Sequence, residues 1–327
     1  MESALYDPEK GFYSNRTQTA DFYTAPELHP AFGAVLADRV AVLLRRVSAA
    51  RPGEALAVVE AGCGNGTLAA QVARRLREKH PGVAAGLRFV LIERARRDLT
   101  EAARRLTAFG LPVDACTDVA RLPSFTGVLY TNELFDALPA HLLQKAAGAM
   151  SEVYVDAGGR QTLGELSCPE LAAPAAAIAP VLADGERHAV SLEAPRWLAA
   201  AAARLNAGFL LTLDYGKRFT AQTPNAPRAY RAHRIETDLT ARPGLQDLTV
   251  PADFSALIAA GEAAGARLES YESLSRFLLE GGVEAFLAVA GGGDVSSYRA
   301  LAQLKTLIHP EGMGEAFKVL VQRKNAS

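Results

Sequence analysis

The stretch "VVEAGCGNGTL", residues 58–68, decides the fold. An apolar strand pattern runs to Glu60, and a helical pattern begins near Thr67. Three glycines stand at alternate positions between them: Gly62, Gly64 and Gly66. Glycines at such positions allow a tight turn and let a ligand lie against bare backbone beside a helix N-terminus. The stretch predicts a strand, glycine loop and helix that bind a ligand; the alternative is a flexible turn without one.

The spacing of the glycines narrows the choice of ligand. A dinucleotide-binding loop has the pattern GxGxxG and would need a glycine where Thr67 stands. A Walker-type phosphate loop is excluded because no Gly-Lys-Ser/Thr follows. The observed GxGxG fits the loop that contacts the nucleoside and methionine parts of the cofactor in S-adenosylmethionine enzymes. S-adenosyl-L-methionine is therefore the predicted cofactor.

On both sides of the loop, β-rich runs alternate with helical runs. "LRFVLIE", "PVDACTD" and "GVLYTNE" have the pattern of strands, whereas "GTLAAQVARRLREKH" and "ARRDLTEAARRLTAFG" have that of helices. This alternation indicates a parallel sheet covered by helices on both faces, joined by right-handed crossovers. We predict an α/β fold: a doubly wound, mostly parallel, seven-stranded Rossmann-like sheet of the class I methyltransferase type, with a small inserted α+β subdomain. The closing runs "ARLESYES" and "AFKVLVQRK" are expected to form an antiparallel pair.

The sequence suggests three regions. Residues 1–50 read as an N-terminal helical or lid segment, residues 51–140 and 207–327 as the cofactor-binding core, and residues 141–206 as an inserted antiparallel and helical subdomain. "HLLQKAAGAMSEVYVDAGGRQTLGEL" has the pattern of an antiparallel meander with a glycine turn. Residues 217–252 read as a loop-rich passage.

Acidic residues follow the predicted strands that neighbour the glycine loop. Glu93 ends the second strand, where a carboxylate can accept hydrogen bonds from two ribose hydroxyls. Asp118 ends the third strand, at the position that usually meets the adenine amino group. Ligands of open sheets bind outside the carboxyl ends of the strands. The predicted cofactor-binding residues are therefore Glu60, Gly62, Gly64, Gly66, Glu93 and Asp118.

The fourth strand end is "TNELFDALP", residues 131–139. Asn132 could cap a following helix, with Glu133 and Asp136 in its first turn. Alternatively these three residues contact the substrate, because this edge of the sheet faces the reactive methyl group in S-adenosylmethionine enzymes. "NELF" lacks the Pro-Pro-aromatic stretch of adenine and amide N-methylating enzymes. Asp214 in "LTLDYG" is a further candidate substrate contact, or else a capping acid in a turn.

Charge and cysteine usage limit the partners. The formal net charge of −1 gives no general attraction to nucleic acid or to anionic membranes. The cysteines show neither CxxC spacing nor a histidine nearby, so we predict no metal site and no disulfide: Cys63, Cys116 and Cys168. The start lacks a signal or transit pattern, and the most apolar stretch, residues 170–186, is interrupted by two prolines. We expect a cytoplasmic protein without membrane insertion; a homodimer stays an open possibility.

An ordered series of motifs resembles the MidA-like methyltransferases, whose mitochondrial members are arginine methyltransferases of respiratory complex I assembly. The motifs are "LYDPEKGFY", "DFYTAPELHPAFG", "VEAGCGNGTL", "NELFDALP", "LTLDYG", "AYRAHR", "PGLQDLT" and "MGEAFKVLVQRK". The resemblance implies a class I S-adenosylmethionine fold and transfer of a methyl group to a protein arginine. It also makes a respiratory complex I subunit the candidate protein partner.

The resemblance carries further residues. Thr24 and Pro26 match an N-terminal element that packs over the cofactor, and Glu27 is either a third carboxylate of the site or a helix-start acid. Tyr230 and His233 either shape the acceptor pocket, serve as a base, or are hydrogen-bonding surface residues. In the family's usual loop, Glu-Leu-Gly-Pro-Gly-Arg-Gly, three residues differ here: Ala61, Cys63 and Asn65 replace Leu, Pro and Arg.

The chemistry of an arginine acceptor favours Glu133. A guanidinium is a poor nucleophile because its pKa exceeds ~12 and its lone pairs are delocalised. A carboxylate can grip it and concentrate positive charge on one nitrogen, leaving another to attack. The alternatives are a small-molecule O- or N-methyltransferase, and an S-adenosylmethionine-binding assembly factor with little catalysis.

Overall fold

The structure is a computed structural model that describes residues 1–15, 24–219, 224–231, 234–289 and 295–326. Its α-helices are α1 (Glu2–Tyr6), α2 (Phe12–Asn15), α3 (Ala25–Leu28), α4 (Ala31–Ala50), α5 (Thr67–Lys79), α6 (Pro81–Ala84), α7 (Arg96–Thr107), α8 (Ala172–Ile178), α9 (Glu193–Arg204), α10 (Phe254–Ala263), α11 (Leu274–Glu280), α12 (Glu284–Val289) and α13 (Val295–Ile308). Its strands are β1 (Leu56–Ala61), β2 (Arg88–Ile92), β3 (Val113–Cys116), β4 (Phe125–Asn132), β5 (His141–Ala146), β6 (Ala149–Val155), β7 (Gln161–Gly164), β8 (Arg187–Val190), β9 (Leu205–Lys217), β10 (Arg228–Arg231), β11 (Arg234–Glu236), β12 (Asp247–Thr249), β13 (Ala252–Asp253), β14 (Arg267–Ser273) and β15 (Phe317–Lys324).

The larger of two compact units comprises Thr24–Leu134, Trp197–Tyr215 and Ile258–Ser327. Its sheet has the strand order β14-β15-β9-β4-β1-β2-β3. Neighbours from β9 to β3 are parallel, and β15 runs antiparallel to both β9 and β14. The predicted mostly parallel sheet, with seven strands in this order and a closing antiparallel pair, is confirmed; the two-residue strand β13 pairs with the end of β9 as an eighth strand.

The strand order creates a switch point at β1. The chain moves outward from β1 through β2 to β3, and then returns to place β4 on the other side of β1. The connections that leave β1 and β4 diverge at such a switch point, which opens a crevice at the carboxyl ends of these strands. The register pairs Glu60 with Tyr130 and Ala61 with Thr131, so the glycine loop and the "NELF" stretch begin side by side.

The core of the larger unit lies where the sheet meets its helices. One row of side chains crosses four neighbouring strands in register and is buried: Phe89, Val58, Val128 and Phe209. Each such side chain contributes roughly 1.5–3 kcal/mol when it leaves water. Helix α4 buries residues spaced by three and four positions, as a helix with one apolar face does: Phe32, Val35, Leu36, Val40, Leu43, Leu44 and Val47.

The smaller unit comprises Met1–Tyr23, Phe135–Arg196 and Gly216–Leu257. The predicted meander is confirmed as an antiparallel sheet, β7-β6-β5-β8, which packs with α8 around Leu143, Leu171 and Ala175. The passage at 217–252 is loop-rich as predicted, but it also contains a second antiparallel sheet, β11-β10-β12, which was not predicted. Alternation in these strands is too short to show as a pattern in the sequence.

The two units do not follow the boundaries suggested by the sequence. Residues 24–50 belong to the larger unit, because α4 supplies part of its core. Residues 216–257 belong to the same compact unit as the segment that follows β4. The amide of Val250 donates to the carbonyl of Asp136 at 2.9 Å within this unit. Among the described helices, none is long and apolar enough to span a bilayer.

Candidate functional site

The glycine loop follows β1 and is fixed to the end of β2. Gly62, Gly64 and Gly66 have φ angles of 69°, 49° and 80°, the left-handed region that favours glycine. The amides of Gly62 and Cys63 both donate to the carbonyl of Ile92, at 2.8 and 3.2 Å. The amide of Gly66 donates to the carbonyl of Cys63 at 2.9 Å. These hydrogen bonds hold the loop in one path across the carboxyl end of the sheet.

Two of the glycines are required for different reasons. A Cβ at Gly66 would lie 2.6 Å from the Cα of Ala102, so this glycine lets the loop pack directly on α7. A Cβ at Gly64 would meet nothing within 4 Å. The bare backbone at Gly64 therefore borders open space, which fits a nucleoside cofactor that lies against the loop.

Glu93 lies on this loop. Its Oε2 accepts from the amide of Gly64 at 3.0 Å, and its Oε1 accepts from the amide of Ala95 at 2.9 Å. Burial raises the pKa of Glu93, and the hydrogen bonds from these amides oppose the shift. Each carboxylate oxygen has a second lone pair, so the group can still accept from a diol. The structure thus brings two predicted cofactor residues, Gly64 and Glu93, into direct contact.

Glu60 lies within β1 and is 3% exposed. The hydroxyl of Tyr130 donates to Glu60 Oε2 at 2.6 Å. Burial raises the pKa of Glu60 to about 8, with a smaller contribution from the negative charge of Glu93. The contact of Tyr130 with Glu60 was not foreseen, because the register that places these residues opposite each other cannot be read from the residue pattern.

Asp118 and Asp214 lie on other strand ends of the same unit. Asp118 Oδ1 accepts from the amide of Ala120 at 2.8 Å and caps Val119–Arg121, a 3-10 helix of one turn. Asp214 is 0% exposed within β9, opposite Lys318 of β15 in the register. Asp118 therefore has a local capping role, and Asp214 is enclosed by the sheet.

No helix follows β4, which removes the alternative in which Asn132 caps one. A turn leads directly from β4 into β5. The carbonyl oxygens that a helix would use are taken by distant donors: Val250 N donates to Asp136 O, and the hydroxyl of Tyr6 donates to Ala137 O at 2.9 Å. The acids of "NELFD" therefore do not serve as helix-start charges.

Glu133 adopts a left-handed backbone with a φ of 51°, which is uncommon for a residue other than glycine. Its amide donates to the carbonyl of Leu213 at 3.0 Å. Its Oε1 accepts from the amide of Ala25 at 3.1 Å and from Asn132 Nδ2 at 3.0 Å. The structure thus joins the carboxylate after β4 to the first residue of α3, a contact without any sequence signal.

The segment around α3 carries the residues predicted to cover the cofactor. Glu27 Oε2 accepts from the amide of Thr24 at 3.3 Å, which is the helix-start role left open by the sequence. Pro26 is buried, and its carbonyl accepts from Gln71 Nε2 of α5 at 3.0 Å. Pro26 is thereby tied to the helix that follows the glycine loop, whereas Thr24 bonds within its own segment.

In the smaller unit, Asp136 is 7% exposed. The hydroxyl of Tyr13 donates to Asp247 Oδ1 at 2.8 Å, and burial followed by the nearby Asp247 charge raises the pKa of Tyr13 far above its usual value. Tyr230 pairs with Asp247 in the register of β10 and β12, whereas His233 lies outside the described residues. The Tyr13 and Asp247 pair was not foreseen from the sequence.

Over the described ranges, no group of three or more His, Cys, Asp or Glu side chains could hold a metal ion. A parallel sheet whose first strand ends in a glycine loop, with a carboxylate from the second strand on that loop, defines a Rossmann-like protein that binds a nucleoside cofactor. The family model described as "Putative S-adenosyl-L-methionine-dependent methyltransferase" matches residues 35–272. The chain belongs to this family: it is an S-adenosylmethionine-dependent methyltransferase, and S-adenosylmethionine is its cofactor.

Relatives with names and structures agree with this assignment. The protein arginine methyltransferase NDUFAF7 of Danio rerio mitochondria is 28% identical over 351 residues, covering 97% of this chain and 81% of the relative. The Drosophila melanogaster homologue is 27% identical over 354 residues, covering 98% and 79%. A Burkholderia thailandensis protein crystallised with S-adenosyl-homocysteine superposes with a TM-score of 0.84 at 28% identity, covering 100% of this chain and 87% of that one. The resemblance to MidA-like methyltransferases is confirmed.

Proposed function

We propose that this methyltransferase modifies an arginine side chain of a partner protein, with a respiratory complex I subunit as the candidate acceptor. The observation that carries the proposal is the Glu133 carboxylate, fixed at the end of β4 by the amides of Ala25 and Asn132. The names of the relatives, protein arginine methyltransferases aligned over nearly the whole chain, support the same acceptor chemistry.

The glycine loop and its neighbours would hold the cofactor. When bound, S-adenosylmethionine supplies a methyl group on a positively charged sulfur. The loop glycines leave the backbone accessible, and Glu93 retains lone pairs for the ribose hydroxyls. Asp118 is the proposed acceptor for the adenine amino group, and Thr24 and Pro26 are proposed to cover the cofactor.

Glu133 would make the acceptor reactive. A guanidinium binds a carboxylate through charge-assisted hydrogen bonds, which draw positive charge toward the bound nitrogens. The remaining nitrogen would then carry more electron density and could bond to the methyl carbon in line as the methyl–sulfur bond breaks, which leaves S-adenosyl-homocysteine and releases one guanidinium proton to water. A fixed carboxylate also aligns that nitrogen, which supplies much of the acceleration in such a displacement. Asp136 and Asp214 stay predicted acceptor contacts.

The test is transfer of labelled methyl groups from S-adenosylmethionine to an extract of cells that lack the protein. Wild type is expected to label a polypeptide on arginine, as located by mass spectrometry. Glu133→Gln should lower the labelling rate at least about 100-fold, since a neutral amide cannot hold the guanidinium charge. The exposed helix residue Glu78 provides the matched control, and Glu78→Gln should label at the wild-type rate.

Other outcomes contradict the proposal. A labelled metabolite without labelled protein would indicate a small-molecule O- or N-methyltransferase. Binding of S-adenosylmethionine without any transfer would indicate an assembly factor. The cytoplasmic location expected from the sequence stays a prediction that fractionation of cells would test.

A further inference from the structure

We propose that Asn132 is a positioning residue that fixes the carboxylate of Glu133 and couples it to helix α3. The consequence for the acceptor rests on the proposed function, whereas the positioning itself is a property of this chain. Three observations within the larger unit carry the inference: two donors converge on one oxygen, the carbonyl of Asn132 is unsatisfied, and the backbone of Glu133 is strained.

Two hydrogen bonds determine the orientation of the Glu133 carboxylate. Asn132 Nδ2 and the amide of Ala25 approach the same atom, Oε1, at 3.0 and 3.1 Å. Two donors that reach one oxygen from different directions oppose rotation of the carboxylate plane. The carboxylate is thus held by a side chain at the end of β4 and by the first backbone amide of α3.

The side-chain carbonyl of Asn132 indicates that this residue is not present because it stabilises the fold. Its Oδ1 is buried and has no hydrogen-bond partner among the residues that the structure describes. An unsatisfied buried acceptor destabilises a fold, and an apolar side chain of similar shape would avoid that penalty. The favourable interaction that the Asn132 side chain makes is therefore the hydrogen bond from its NH2 group to Glu133.

The backbone conformation at Glu133 is one that glycine adopts more readily than glutamate does. Its φ of 51° is strained for a side chain with a Cβ, and glycine would adopt it freely. Two adjacent residues that both weaken the fold, and that are hydrogen-bonded to each other, indicate selection for the placement of a functional group. The placed group is the carboxylate.

Three variants separate positioning from general stability. Asn132→Leu removes the donor together with the unsatisfied carbonyl, so thermal stability should be unchanged or higher. Asn132→Asp keeps the shape but places a second carboxylate next to Glu133. Asn325 is the control at another position, because its Nδ2 also donates one hydrogen bond, to the carbonyl of Asn206 at 2.9 Å. Asn325→Leu should leave the Glu133 site unaffected.

The first measurement is amide hydrogen exchange at Ala25, which needs no acceptor. In Asn132→Leu the carboxylate can turn away, and exchange at Ala25 should become about tenfold faster, corrected for intrinsic rates. In Asn132→Asp exchange at Ala25 should also become faster, because a second carboxylate repels that of Glu133 and donates no hydrogen bond to it. Affinity for S-adenosyl-homocysteine, measured by calorimetry, should stay within about twofold of wild type in all variants.

The second measurement is the rate of methyl transfer to the polypeptide labelled by wild type. Asn132→Leu should lower that rate at least about tenfold at unchanged cofactor affinity. Wild-type exchange at Ala25 in Asn132→Leu would overturn the inference, as would a large loss of thermal stability, which would make the residue structural. If wild type labels no polypeptide, the proposed function fails, while the exchange data still decide whether Asn132 positions Glu133.

Discussion

The glycine loop and the β4 junction, which is the turn at Glu133 directly after β4, adopt a similar backbone conformation with different residues. Both follow adjacent strands, and both use the left-handed region, with φ of 49° at Gly64 and 51° at Glu133. The loop uses glycine, so bare backbone borders the open space beside Gly64. The junction keeps a glutamate despite the strain, so it carries a carboxylate where the loop carries no side chain. We infer that the loop serves the cofactor and the junction serves the acceptor.

The largest effect is expected where a side chain would collide with the fold. Gly66→Ala places a Cβ 2.6 Å from the backbone of Ala102, in addition to left-handed strain. The free energy of unfolding should fall by about 3–4 kcal/mol in urea denaturation. Gly53 has nearly the same φ, 82° against 80°, but open surroundings. Gly53→Ala should therefore cost about 1 kcal/mol, and equal losses in both variants would show that the contact with α7 is unimportant.

A smaller effect concerns the buried pair that lies between the two regions. The pKa of Glu60 is about 8 in the folded protein, above its ordinary value of 4.5, because the neutral acid is favoured on burial. The stability that this group contributes is fully present below about pH 4.5 and is lost as the pH rises toward 8. Wild type should therefore lose on the order of 3 kcal/mol relative to Glu60→Gln between pH 5 and pH 8.

Thermal unfolding of wild type and Glu60→Gln across this pH range checks the prediction. Glutamine can still accept from Tyr130 through its amide oxygen, so the comparison isolates the titration. Parallel curves for the two proteins would mean that the pKa of Glu60 in the folded protein is close to its ordinary value.

The smallest effect on stability is expected at the junction. Glu133→Gly relieves the left-handed strain but removes the acceptor of the Ala25 amide, so the free energy of unfolding should change by less than about 1 kcal/mol. Ala147, with a φ of 49° in an exposed turn, is the matched control. Ala147→Gly should stabilise the protein by roughly 0.5–1 kcal/mol. A large loss in Glu133→Gly alone would make the glutamate a structural residue.

The sequence predicts the parts of the fold that depend on local pattern. Apolar runs, helix periodicity and the glycine spacing led to the sheet, its antiparallel closing pair and the cofactor. Glu93 was correctly expected beside the glycine loop, because parallel strands align their carboxyl ends. These features depend on chain direction and residue spacing, which the sequence contains.

The failures share one cause, which is pairing between distant segments. Asn132 and the acids after it look like a helix start, yet the carbonyl of Asp136 bonds to Val250 instead of to a helix. The register that places Tyr130 against Glu60 is likewise absent from the local pattern. Glutamate at a left-handed position also gives no sequence signal, since asparagine and glycine are the usual residues there.

Calorimetric titration of S-adenosyl-homocysteine into wild type, Gly64→Ala and Glu133→Gln tests the division between loop and junction most directly. A Cβ at Gly64 would occupy open space without touching the fold, so Gly64→Ala should remain folded and lose at least about tenfold in affinity. Glu133→Gln should bind as wild type does, because its carboxylate is assigned to the acceptor. Unchanged affinity in Gly64→Ala, or lost affinity in Glu133→Gln, would contradict the assignment of the loop to the cofactor and the junction to the acceptor.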